Sequence, residues 1–213
     1  MRGTVTRNLR TVLALAALFL LPVAGSFWLY YGAGWRPAGH VNHGELIQPV
    51  RTLPDVRLPV VSVGTGGVGP GQQPAIARST ALPLAANVFS KRWALVYIGD
   101  GGCDPSCQYI LYVMRQTWLA LNTDAPRVER VFLATGDAHD AAALARGQPG
   151  LIVLDASGSS GRPLLAEFPR EDRSAMIFVV DPLGNLMMRY DSRRDPKGLL
   201  QDLRRLLQLS HIG

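Results

Sequence analysis

Residues 93–121, WALVYIGDGGCDPSCQYILYVMRQTWLAL, combine a strand pattern with a helix pattern. Residues 93–98 are a run of β-forming residues, and a glycine-rich loop follows them at 99–102. Beyond the loop, apolar residues recur at helical spacing from Ile110 to Leu121. A strand that leads through a short loop into an amphipathic helix is typical of an α/β protein, so we predict that fold class.

The two cysteines of the chain, Cys103 and Cys107, lie four residues apart where this helix is predicted to begin. Residues at i and i+4 share a helix face, so both sulfurs are expected on one side. The N-terminal end of a helix carries free N–H groups and partial positive charge, which favour a thiolate. The pair can form a disulfide, reduce another disulfide or hold a soft ion such as Cu(I), and an inert structural disulfide is the alternative.

Composition excludes some classes of function. The 213-residue chain is 47% hydrophobic and 18% charged, which is enough for one domain and a further segment. Its net charge is +6, but the basic residues are spread along the chain and form no run interleaved with stacking aromatic residues. We therefore predict no nucleic-acid partner. The excess charge better suits a weak attraction to anionic lipid headgroups.

Residues 11–31, TVLALAALFLLPVAGSFWLYY, carry no charge and are long enough to cross a bilayer as a helix. Three arginines precede them within residues 1–10, and aromatic residues close the span. We predict a retained anchor in the inner (cell) membrane, with residues 1–10 in the cytoplasm and the rest in the periplasm. The alternative is a cleaved signal peptide with a cleavage site at residues 23–25.

Beyond the span, proline and glycine predict an extended connector over residues 32–79 and a compact domain over 80–213. Within the domain, strand and helix patterns alternate. A proline–glycine turn joins the last two strands, and Asp195 caps a final helix that begins at Pro196. The predicted order β-α-β-α-(β-α)-β-β-α is a mixed sheet flanked by helices.

This arrangement resembles the thioredoxin fold, and within it the SCO/SenC family of membrane-anchored, copper-binding assembly factors of cytochrome c oxidase. The carrying features are the N-terminal span, the spacing Cys103-x-x-x-Cys107 after a strand, the hairpin FVVDPLGNL at 178–186 and the segment NHGELI at 42–47. The resemblance covers most of residues 40–209. It implies a thioredoxin-like domain, copper as a cofactor, and a cytochrome c oxidase subunit or its assembly factors as partners.

The family binds copper through two cysteines and a histidine nine residues before the hairpin proline, and here Arg173 occupies that position. Arginine cannot donate a lone pair to a metal, although two thiolates can still hold Cu(I). Among the histidines, His139 is the one placed to approach Cys103 and Cys107, and a solvated His139 is the alternative. Arg173 either stands beside the cysteines, where its charge would favour a thiolate, or lies on the surface, which we favour.

The sequence therefore suggests a protein that acts in assembling the copper site of cytochrome c oxidase through Cys103 and Cys107, by thiol reduction or Cu(I) delivery. A general periplasmic thiol–disulfide oxidoreductase is an alternative, weakened because residues 174–176 offer no proline before the hairpin strand. A non-catalytic assembly partner with a structural disulfide is another, so enzymatic activity stays open. Asp100 and Asp104 lie on either side of Cys103. They could act as acid–base groups, or they could be an ordinary loop residue and an ordinary helix-start residue, respectively.

Overall fold

A computed structural model describes residues 2–33, 42–64, 85–86, 89–210 and 212. Side chains are described for residues 11–33, 42–64, 89–137, 143–210 and 212. The chain divides into two compact units, Met1–Val41 and Asn42–Gly213.

The first unit is one long helix. Helix α1 spans Arg2–Phe27 and continues as a π-helical turn at Trp28–Gly32. Within the described residues, Thr11–Gly32 is the one helical segment long and apolar enough to cross a membrane. Pro22 lies inside α1, where its carbonyl oxygen accepts a hydrogen bond from Ser26 Oγ at 2.7 Å. The segment agrees with a single-pass membrane protein.

The second unit is built on an eight-stranded mixed sheet in the order β1-β8-β7-β4-β5-β6-β2-β3. The strands are β1 (Glu45–Thr52), β2 (Leu58–Val63), β3 (Ala85–Ala86), β4 (Trp93–Gly99), β5 (Val128–Ala134), β6 (Leu151–Asp155), β7 (Met176–Val180) and β8 (Asn185–Asp191). The helices are α2 (Pro105–Ala120), α3 (Ala138–Gly147), α4 (Gly161–Glu167) and α5 (Pro196–Leu209), with 3₁₀ turns at Asn122–Arg127 and Arg173–Ala175.

Parallel pairing defines the centre of the sheet. Strands β4, β5 and β6 are parallel neighbours joined through α2 and α3, with Trp93 opposite Val128 and Arg130 opposite Leu151. Strand β7 runs antiparallel to β4 and turns back as β8. This order confirms the predicted thioredoxin-like α/β fold, and it brings the carboxyl ends of β4 and β5 to one edge.

Two apolar layers enclose the sheet. Helices α2 and α5 pack on one face, through side chains such as Met114 and Leu203. Helix α4 covers the other face through Leu164, and Phe168 packs in the same apolar cluster. Because β4 is buried on both sides, its sequence is continuously apolar rather than alternating.

The structure differs from the predicted boundary between connector and domain. Strands β1 and β2 lie inside residues 32–79 and pair with β8 and β6, so the second unit includes residues from Asn42 onward. Strand β1 lies at the edge of the sheet, where a proline such as Pro49 is tolerated. Only Ile47 is buried in β1, which explains why its sequence has no clear strand pattern.

The entry of the chain into this unit is fixed by a buried carboxylate. Asp202 Oδ2 on α5 accepts hydrogen bonds from the amides of His43 at 2.7 Å and Gly44 at 3.0 Å. The Tyr190 hydroxyl donates to the same oxygen at 2.6 Å. A Cβ at Gly44 would lie 2.3 Å from the Tyr190 ring, so a glycine is required there. The segment at 42–47 therefore belongs to the fold.

Candidate functional site

The site is built at the start of α2. Asp104 is the N-cap residue, and its Oδ1 accepts a hydrogen bond from the Cys107 amide at 2.8 Å. Pro105 occupies the first helical position, where the missing N–H costs nothing. Cys103 and Cys107 are joined by a disulfide, with their Cα atoms 5.1 Å apart. The sulfurs thus lie together at the head of one helix.

The two half-cystines differ in exposure. Cys107 is buried, with 4% of its surface exposed, and belongs to the core between the sheet and α2. Cys103 is half-buried and packs against the edge of that core. A thiol arriving from solvent therefore meets Cys103 first.

Close backbone packing holds the loop that precedes the cysteines. A Cβ at Gly136 would lie 2.2 Å from the Asp100 carbonyl oxygen, so the chain after β5 touches the loop after β4 directly. Gly101 has φ of 98°, in the region that favours glycine. In the same contact, the Thr135 amide donates to the Gly99 carbonyl oxygen at 2.8 Å.

A cleft of about 560 Å³ opens beside the disulfide. Its walls include Cys107 from α2, Tyr97 from β4, Thr135 from the β5–α3 loop and Arg173 from the turn before β7. These segments meet because the carboxyl ends of β4 and β5 and the start of antiparallel β7 lie at the same edge of the sheet. Cys107 is the half-cystine that lines this cleft, although only 4% of its surface is exposed.

Arg173 is not the isolated surface residue that we expected. Its Nε donates to the Pro169 carbonyl oxygen and its Nη2 to the Leu165 carbonyl oxygen, both at 3.0 Å, and Nη2 also contacts the Phe168 carbonyl oxygen. Partial burial and the neighbouring Arg170 lower the pKa of Arg173, yet an arginine remains charged at neutral pH. A fixed positive charge therefore lines the cleft.

Tyr97 is a cleft residue that no motif in the sequence had singled out. Its hydroxyl donates to the Ser174 carbonyl oxygen at 3.2 Å. Burial raises the pKa of Tyr97 to about 12, and the charges of Asp104 and Asp100 add to the effect. The hydroxyl is therefore a neutral donor at physiological pH. Its position next to the carboxyl end of β4 was the available signal, since such ends form sites in α/β sheets.

The structure brings Cys103, Cys107, Asp104 and Arg173 to one place. His139 lies in α3, but its side chain is outside the described residues, so its proposed role as a ligand stays a prediction. Among the described residues, no group of three or more His, Cys, Asp or Glu side chains could hold a metal ion.

A family model described as "Transmembrane-like, thioredoxin-like, C-terminal domain" matches residues 93–210 of the chain. The matched region begins at β4 and ends just after α5, so it contains the disulfide, the cleft and Arg173. A comparison with curated proteins found no match.

Several solved structures share the fold. The solution structures of apo Sco1 from Thermus thermophilus are similar, with 19% identity, a TM-score of 0.54, and coverage of 81% of this chain and 98% of the other. Yeast Sco1 with copper bound has 11% identity, a TM-score of 0.55, and coverage of 81% and 96%. A putative electron transfer protein from Aquifex aeolicus has 12% identity, a TM-score of 0.52, and coverage of 74% and 95%.

Proposed function

Because the chain belongs to the transmembrane-like, thioredoxin-like C-terminal domain family, we propose that it is a membrane-anchored thiol–disulfide exchange protein that assists assembly of the copper site of a cytochrome c oxidase. The observation that carries the proposal is the Cys103–Cys107 disulfide at the start of α2, with one half-cystine buried and the other half-exposed. The resemblance to the SCO/SenC family suggests the oxidase as the setting, and the chain shares its fold with Sco1 structures.

The exchange reaction uses the two sulfurs in sequence. In the reduced protein, the Cys103 thiolate attacks a disulfide of the partner and releases one partner sulfur as a thiolate, which takes up a proton. The Cys107 thiolate then attacks Cys103 Sγ, closes the Cys103–Cys107 disulfide and releases the second partner thiol. Two electrons pass to the partner, and the disulfide form is the product. A dithiol reductant of the periplasm must restore the reduced form.

Charge in the cleft favours this chemistry. The Cys107 amide is already bonded to Asp104, so that N–H is not available to a Cys107 thiolate. Arg173 lines the same cleft as Cys107 and carries a fixed positive charge, which lowers the free energy of a thiolate there. The Asp104 carboxylate acts in the opposite direction, so Arg173 compensates for a charge that the helix cap introduces.

Delivery of Cu(I) as cargo is the second candidate function. Cys103 and Cys107 could bind the ion only after their disulfide is reduced. Arg173, which stands at the position of the family's histidine, offers no lone pair, and its charge opposes a cation in the cleft. The described residues therefore fit a tightly bound copper ion poorly, and they favour exchange of thiols. His139 remains the candidate for a further ligand.

The orientation in the membrane is part of the proposal. The arginines at positions 2, 7 and 10 precede the apolar segment, and this pattern favours an N-terminus in the cytoplasm and the second unit in the periplasm. There the disulfide can form, because the compartment is oxidising. A general periplasmic oxidoreductase and a non-catalytic partner with a structural disulfide are the competing functions.

Trapping of mixed disulfides tests the proposal. The full chain in detergent micelles, as the Cys107→Ser or Cys103→Ser variant, is mixed with an oxidised peptide that carries the copper-site cysteine pair of an oxidase subunit. We expect Cys107→Ser to form a mixed disulfide through Cys103, at least about tenfold faster than Cys103→Ser does through buried Cys107. If both variants react with the peptide equally slowly, and no faster than they react with glutathione disulfide, the result would argue for a structural disulfide.

A further inference from the structure

Helix α2 leaves three large side chains uncovered. Tyr109, Tyr112 and Leu119 are 44%, 55% and 38% exposed and lie on one face of the helix, at spacings of three and seven residues. The opposite face of α2 packs into the core through residues such as Met114. The exposed stripe therefore has no partner among the described residues.

Helix α5 adds positive charge beside this stripe. Both helices pack on the same face of the sheet, and Arg204 Nη2 donates to the Ala120 carbonyl oxygen at the end of α2, at 2.8 Å. Lys197, Arg204 and Arg205 are exposed on α5. We define the α2–α5 face by six residues: Tyr109, Tyr112, Leu119, Lys197, Arg204 and Arg205.

Between their ends, α2 and α5 expose no acidic side chain on this face. Helix α2 contains no acidic residue, and the single acid of α5, Asp202, is buried and accepts three hydrogen bonds. At the helix ends, Asp124 pairs with Arg127 at 3.5 Å, and Asp195 lies 3.1 Å from His43. The remaining flanking acid, Asp104, caps the start of α2. Exposed aromatic residues beside exposed basic residues are typical of surfaces that meet lipid headgroups.

The chain enters the second unit next to this face. The amides of His43 and Gly44 bind Asp202 on α5. We propose that the α2–α5 face docks on the anionic headgroups of a phospholipid bilayer. The inference does not depend on the chemistry of the disulfide.

Hydroxyl-radical footprinting of the full chain in lipid nanodiscs tests this proposal. Discs of phosphatidylcholine are compared with discs that contain about one-third phosphatidylglycerol. Leu183, which is 69% exposed in the β7–β8 turn, serves as the internal reference. We expect labelling of Tyr109 and Tyr112 relative to Leu183 to fall at least about threefold in the anionic discs, and about 1 M salt to remove the protection.

Charge variants separate docking from other causes of protection. The double variant Lys197→Gln/Arg205→Gln leaves the Arg204 hydrogen bond intact and is expected to lose the protection, since each removed charge weakens binding to anionic lipid about fivefold. The control Arg57→Gln/Arg162→Gln removes two exposed charges elsewhere and should keep it. Equal labelling of Tyr109 and Tyr112 in the two kinds of disc would overturn the proposal. An acidic protein would then be the expected binding partner of the α2–α5 face. Protection that Lys197→Gln/Arg205→Gln does not reduce overturns it as well.

Discussion

Arg173 lines the same cleft as Cys107, and its guanidinium is fixed there by the carbonyl oxygens of Leu165 and Pro169, each 3.0 Å away. These hydrogen bonds restrain the guanidinium. The turn before β7 and the start of α2 therefore share one opening at this edge of the sheet.

Removal of this charge should make the disulfide harder to reduce. We expect Arg173→Gln to lower the reduction potential of the Cys103–Cys107 pair by roughly 10–30 mV, since one pKa unit of thiolate stabilisation corresponds to about 30 mV and solvent screens a half-buried charge. Equilibration with dithiol redox buffers and alkylation of free thiols measures the potential. Arg173→Lys should restore most of it, and Arg170→Gln, an exposed neighbour, should change it little. Equal shifts for Arg170→Gln and Arg173→Gln would mean that the cleft position has no special role.

Introduction of a histidine at the same position should improve copper binding. We expect Arg173→His to raise the affinity of the reduced protein for Cu(I) at least about tenfold, because a repelling charge is replaced by a ligand nitrogen. Competition with a chromophoric Cu(I) chelator measures the affinity. Arg173→Gln removes the charge without adding a ligand and separates the two causes. If Arg173→His binds copper no better than Arg173→Gln, residue 173 does not reach the sulfurs.

Packing between two loops should control the shape of the site. Gly136→Ala would place a methyl group 2.2 Å from the Asp100 carbonyl oxygen, and neither backbone segment can yield easily. We expect it to lower the free energy of unfolding by about 2 kcal/mol or more and to change the rate at which the disulfide is reduced. The control is Gly102→Ala, where the nearest atom is 4.0 Å away and a change below about 0.5 kcal/mol is expected. Similar losses in the two variants would contradict this account.

Alkaline pH should destabilise the second unit through Tyr97. Its pKa rises from 10.0 to about 12 on folding, so the protonated hydroxyl is favoured in the native state. The associated stability is complete below pH 10 and is lost as the pH rises towards 12. Tyr190, whose pKa is raised by burial and Asp202, acts in the same direction.

Urea unfolding of the full chain in micelles at several alkaline pH values measures this loss. Tyr97→Phe should be less stable near neutral pH by about 1 kcal/mol, because the bond to the Ser174 carbonyl oxygen is lost, and its stability should fall less steeply above pH 10. Tyr112→Phe, at an exposed position, should follow the unsubstituted chain. A parallel decline in Tyr97→Phe and the unsubstituted chain would show that Tyr97 does not titrate as described.

Local patterns in the sequence were sufficient for the centre of the fold. The apolar run of β4, the Asp104–Pro105 start of α2 and the Asp195–Pro196 start of α5 are short-range signals, and the structure confirms each of them. The edge strand β1 could not be recognised in the same way, since one buried side chain gives no alternation and Pro49 breaks the β pattern. Its pairing depends on β8, which is distant in sequence.

The candidate site could be predicted only in part, because local patterns report the cysteines but not the residues that the fold brings beside them. Both cysteines lie at the start of α2 as predicted, but Cys103 precedes the N-cap Asp104, so the disulfide rather than the helical repeat brings the sulfurs together. The position of Arg173 depends on how β7 returns beside β4, which no local pattern reports. Asp202 did leave a signal, as a single acid within the leucine-rich stripe of α5, and a buried acid at such a position requires hydrogen-bond donors.

The reduction potential of the Cys103–Cys107 pair in the full chain at neutral pH tests the central claim most directly. Redox buffers that span the range of glutathione and dithiothreitol, followed by alkylation and mass spectrometry, give the value. A potential above about −300 mV is predicted, since a pair that exchanges electrons with partners must be reducible by cellular dithiols. A potential well below about −300 mV would contradict the account and leave the disulfide as a structural link.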